Sequence, residues 1–96
     1  MQAQIFEHST WIKETNPKIV KHQMQNLLNQ SKFSIVGFME HHFELQGYTA
    51  VWLLGESHLA IHTFPEQSKT YLQISSCNSD KHNIFCASLS EYRSNG

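Results

Sequence analysis

Tyr48-Thr49-Ala50-Val51-Trp52-Leu53-Leu54, then Gly55-Glu56, then Ser57-His58-Leu59-Ala60-Ile61-His62-Thr63-Phe64: this stretch decides the fold. Residues 48–54 are β-branched, aromatic or aliphatic and read as a strand, Gly55-Glu56 breaks it, and Leu59–Phe64 reads as the next strand. Two strands separated by so short a break pair antiparallel, because a parallel pair needs a crossover of a dozen or more residues. The same texture extends on both sides. Phe33-Ser34-Ile35-Val36-Gly37-Phe38-Met39 reads as an earlier strand, with a turn at Gln46-Gly47. Pro65 to Lys69 reads as a loop and Thr70–Cys77 as a later strand.

Helices flank this run. Asn16-Pro17 is a start signal, a capping residue followed by proline at the first helical position. Val20, Met24, Leu27 and Leu28 then recur at helical spacing, which predicts a helix over about 17–31. Asn78-Ser79-Asp80 caps a short second helix containing Ile84, Phe85 and Leu89, and residues about 3–8 read as a short first strand. The expected fold is α+β: a two-layer sandwich with an antiparallel sheet and both helices on one face. Strands 33–39 and 48–54 are apolar on both faces, so one helical layer leaves a large apolar surface uncovered. That predicts a homodimer formed sheet to sheet.

Ninety-six residues without repeats or linkers fit a single domain, 1–96. Seven basic and eight acidic side chains, with no basic run, argue against nucleic acid as a partner. No apolar run reaches the length of a membrane span and none resembles a signal peptide. Two cysteines, Cys77 and Cys86, make no disulfide framework. The expected setting is therefore soluble, reducing and cytoplasmic, with no membrane partner.

The 55–66 segment carries more polar groups than packing requires. His58 and His62 share a face of a strand but lie about 13 Å apart along it, too far for one metal ion. His41 and His42 point to opposite faces, so no metal is expected. A loop centred near residue 67 makes residues whose numbers sum to 134 lie opposite one another, which puts Cys77 beside Ser57. His62 has the wrong parity to join them in a regular ladder, and a bulge would be needed.

The order Glu56-Ser57-His58, His62, Thr63-Phe64-Pro65-Glu66, Cys77 resembles the prokaryotic S-adenosylmethionine decarboxylase family over about Phe43 to Cys77. In that family the chain cuts itself at a Glu-Ser bond and converts the serine to a pyruvoyl group. The resemblance implies cleavage between Glu56 and Ser57, a pyruvoyl cofactor made from Ser57, His62 as the processing base and Cys77 as the catalytic acid. Thr49 falls where the family usually has a second serine that assists processing. Phe43 falls where a ring stacks on adenine, and Glu66 where the ribose is bound. The implied chemistry runs from an ester through a dehydroalanine to the pyruvoyl carbonyl, which forms a Schiff base with the substrate and acts as the electron sink. The expected function is decarboxylation of S-adenosylmethionine for spermidine synthesis. Arginine or ornithine as substrate, or a non-processing regulatory relative, are the alternatives. The family's helix–sheet–sheet–helix dimer, with sites near the interface, is implied as well.

Overall fold

The computed structural model describes residues 4–95. In chain order it contains β1 (Phe6–Ile12), α1 (Pro17–Gln30), β2 (Gly37–His42), β3 (Tyr48–Leu54), β4 (Ser57–Phe64), a 3-10 turn (Pro65–Gln67), β5 (Lys69–Ser76) and α2 (Ser79–Asn95). The strands form one sheet in the order β1-β5-β4-β3-β2, and each neighbouring pair is antiparallel. The expected α+β layout, with two helices on one face of an antiparallel sheet, is present.

The sequence signals explain the joints. Asn16 Oδ1 accepts the Ile19 N–H at 3.1 Å and Pro17 stands at the first position of α1. Val20, Met24, Leu27 and Leu28 form the buried stripe of α1. Together with Trp52, Leu59, Ile61, Leu72 and Ile74 from the sheet and Phe85 and Leu89 from α2, they make one core. The turn between β3 and β4 has two residues, with Gly55 at a φ of +61° that favours glycine.

Several boundaries differ from the sequence reading. The strand expected over 33–39 begins only at Gly37 and runs to His42. Lys32 takes a left-handed φ of +68° and the Phe33 N–H closes back on the Leu28 carbonyl, so the helix ends in a tight reversal. Phe33 then turns into the core against Phe85, and residues 33–36 are spent crossing to the sheet. Most of β2 is exposed rather than apolar on two buried faces. β1 lies at Phe6–Ile12 instead of about 3–8, and residue 3 is outside the described residues. The second helix is not short: α2 has 17 residues.

The β4–β5 register is also shifted by one. Leu59 faces Ile74 and His62 faces Tyr71, so opposed residue numbers sum to 133 and not 134. The 3-10 turn followed by Ser68 at a φ of +53° makes a tighter connection than a loop centred on residue 67.

One buried group makes stability depend on pH. His82 on α2 is buried, its Nδ1 has no hydrogen-bond partner among the described residues, and its Nε2 lies 3.6 Å from Cys86 Sγ. Burial, with His8 nearby, lowers its pKa below the ordinary 6.5. The unfolded chain therefore takes up this proton at a higher pH than the folded one. The stability contributed by neutral His82 is complete above about pH 6.5 and is lost as the pH falls through the lower folded value. The thermal midpoint should fall between about pH 7.5 and 5.5, and His82→Met should shrink that fall. Equal pH profiles for the two proteins would contradict this.

Candidate active site

Two groups of sequence-marked residues form, at opposite ends of the sheet. The first is at the β3–β4 turn. Ser57 opens β4 and Cys77 directly follows β5, at the same end. The Cys77 N–H donates to Ser57 Oγ at 3.3 Å, and the Cys77 thiol donates to the Glu56 carbonyl oxygen at 3.3 Å. One residue thus touches both the serine hydroxyl and the carbonyl of the preceding peptide. The expectation that Cys77 sits beside Ser57 survives the one-residue correction in register. Cys77 is exposed and free, not a buried packing thiol. A cleft of about 350 Å³ opens here, lined by Glu56, Ser57, Cys77, Asn78 and Lys81 among others.

The second group is on the sheet face opposite the helices. Thr49 pairs with His62 across β3 and β4, and Thr49 Oγ1 lies 3.0 Å from His62 Nδ1. If Nδ1 carries the proton and donates it to Thr49, Nε2 is left as the free basic nitrogen. The Tyr71 ring stacks near His62, with centroids 6.4 Å apart and 22° between planes. Phe43 and Glu66 lie beyond the ends of β2 and β4, at this same end of the sheet. Phe43 is half exposed and meets His41 edge-on.

Within one chain the two groups do not meet. β4 is paired regularly from residue 58 to 64, with no bulge to bring His62 onto the side of Ser57. Five residues of strand separate them, about 16 Å. Leu59, Ile61 and Thr63, which share the parity of Ser57, are buried under the helices, whereas His62 faces the other way. Among the described residues no cluster of three or more metal-ligating side chains could hold an ion.

The family profile described as S-adenosylmethionine decarboxylase matches residues 9–92. The chain belongs to the S-adenosylmethionine decarboxylase family. An S-adenosylmethionine decarboxylase proenzyme of Prochlorococcus marinus (strain MIT 9313) is 41% identical over 44 residues, 46% of this chain and 35% of that protein. The proenzyme of Archaeoglobus fulgidus is 30% identical over 60 residues, covering 62% of this chain and 54% of the relative. That of Thermotoga maritima is 31% identical over 65 residues, covering 68% and 50%. The matches thus span between about a third and a half of these relatives' lengths. The crystal structure of the adenosylmethionine decarboxylase from Aquifex aeolicus superposes with a TM-score of 0.70 at 17% identity, over 86% of this chain and 72% of that one; it supports the fold. Among the described residues no helix is long and apolar enough to cross a membrane.

Two neighbours of the site escaped the sequence reading. Tyr71 was hidden by the register, since only a sum of 133 sets it opposite His62. Lys81 was hidden because the helix after Cys77 gave no sign of facing the Ser57 cleft; its place four residues after Cys77 is the signal that could have marked it.

Proposed function

We propose that this chain is a self-processing, pyruvoyl-dependent decarboxylase of S-adenosylmethionine, and that residues 1–96 act as one unit within a homodimer. The observation that carries the reading is the double contact of Cys77 with Ser57 Oγ and the Glu56 carbonyl oxygen. The backbone N–H of Cys77 orients the serine oxygen, and its thiol places a donor on the oxygen where negative charge develops when Ser57 Oγ attacks the Glu56 carbonyl carbon. The Glu56–Ser57 C–N bond then breaks, the serine nitrogen takes a proton, and an ester remains. Removal of the Ser57 α-proton by a base expels the Glu56 carboxylate from the β-carbon. Water then releases the nitrogen as ammonia and leaves a ketone carbonyl at residue 57. Gly55, whose Cβ position has no atom within 4 Å, leaves room for the turn to move as the bond is cut. Once formed, the pyruvoyl group supplies an electron sink for decarboxylation. Cys77, still beside it, serves as the proton donor to the substrate carbon.

His62 suits the role of base, but it is remote from its own chain's Ser57. A second copy removes the separation along the strand, and Ser57, at the open end of β4, is where the chain can be approached past the edge of the sheet. The face bearing His62 also carries Trp11, Phe64 and Tyr71 in edge and tilted contacts, and the large exposed side chains Met39 and Leu53. Two such faces stacked about a twofold axis, with strands running oppositely, bring the His62–Thr49 end of one sheet over the Ser57–Cys77 end of the other. Phe43 and Glu66 arrive from the partner with His62, as adenine- and ribose-binding groups. Each dimer then holds two equivalent centres.

The purified protein should release labelled carbon dioxide from carboxyl-labelled S-adenosylmethionine and not from arginine or ornithine. Cys77→Ala should still cleave, more slowly, while its turnover falls by about 10²–10⁴, the span of a general acid. Full turnover in Cys77→Ala would remove the cysteine from its assigned role.

A further inference from the structure

We propose that Lys81 is the residue that receives the substrate's α-carboxylate. The proposal deepens the reading of Ser57 as the origin of the reactive carbonyl, and rests on it.

Lys81 lies in the first turn of α2, where its N–H is held by Asn78 Oδ1 at 2.9 Å. This fixes its backbone at the rim of the cleft that contains Ser57 and Cys77. Lys81 and Glu56 are the only charged groups in that lining. Lys81 is half-buried, yet it pairs with no carboxylate among the described residues; the ion pairs found there are Lys21–Glu40 and His42–Glu40. Lys81 is thus the one cation among the described lining residues of a polar cleft, and no ion pair, with Glu56 or any other described carboxylate, holds it. The start of α2 adds positive potential at the same place.

The chemistry of the substrate supplies the anion. An amino acid whose α-amine is directed at residue 57 carries its carboxylate on the adjacent carbon, within about 4 Å of that nitrogen. The carboxylate must therefore lie in this cleft, where Lys81 is the cation among the described lining residues. The grip belongs to the bound substrate more than to the transition state, because the negative charge leaves the carboxylate as carbon dioxide forms. Lys81 thus governs binding and the choice of a free carboxylate, and not the rate of the bond-breaking step.

The test uses Lys81→Gln and Lys81→Arg in the full chain. Lys81→Gln should cleave like the parent, judged by intact mass. Its KM for S-adenosylmethionine should rise by about tenfold or more, the loss of one charge-assisted hydrogen bond. Its kcat should be unchanged or slightly higher, and Lys81→Arg should recover most of the affinity. Independently of any variant, the carboxamide of S-adenosylmethionine should inhibit the parent about tenfold or more weakly than the free acid binds. That carboxamide should inhibit Lys81→Gln and the parent alike. An unchanged KM in Lys81→Gln, or a carboxamide that binds as well as the acid, overturns the proposal. So does a loss of cleavage in Lys81→Gln, which would assign Lys81 to Glu56 instead. A parent chain that never cleaves overturns the underlying reading together with this one; a cleaved parent with an indifferent Lys81→Gln overturns this one alone.

Discussion

Two chains that each fail to mature should rescue one another when combined. His62→Ala keeps Ser57 but lacks the base; Ser57→Ala keeps the base but has nothing to cleave. If His62 acts on the partner's Ser57, co-expression of the two in equal amounts should restore cleavage to about half of the His62→Ala chains, the share that pair with Ser57→Ala in random dimers. The cleaved chains should all be of the His62→Ala type, distinguishable by mass. The motive is geometric: one regular strand cannot carry residues 57 and 62 to the same point, about 16 Å and a change of face being in the way. No rescue, together with slow cleavage in a dilute monomer, would mean that each chain processes itself.

Ser57→Ala should have the largest effect of any single change. It removes the attacking oxygen and the precursor of the electron sink, so no other residue can compensate. Decarboxylation should fall by at least about 10⁴-fold, and the chain should remain full length. The fold should be unaffected, because Ser57 is only half-buried and its hydroxyl makes one hydrogen bond among the described residues, from the Cys77 N–H. Equal thermal midpoints for the two full-length forms of Ser57→Ala and His62→Ala would confirm that the loss is chemical.

The sequence was most legible where local chemistry dictates local shape. Asn16-Pro17 starts α1 and Gln46-Gly47 makes its turn, with Gly47 at a φ of +116°. The alternation through 48–54 and 57–64 follows the two faces of the sheet. Residues 33–36 misled because apolar, β-branched residues suit a strand and a core-crossing segment equally well; only the reversal at Lys32 separates the two. The β4–β5 register was missed by one residue because the connection closes through a 3-10 turn. The contact between Ser57 and Cys77 was legible all the same, since both stand at strand ends where the chain can adjust. The division of the site into two ends was legible only in part: the parity of His62 was apparent, but the absence of a bulge in β4 required the structure. Lys81 depends on where α2 lies over the sheet, a tertiary fact to which its spacing of four residues from Cys77 is the one local clue.

The central claim is that Glu56 and Ser57 are severed by the chain itself. The most direct measurement is the intact mass of the purified, unsubstituted protein after incubation at neutral pH. Two fragments are expected, 1–56 ending in a normal carboxyl group and 57–96 beginning with a pyruvoyl group that blocks sequencing from its amino end. A single species of full-length mass that persists through prolonged incubation, with Ser57 intact, would contradict it.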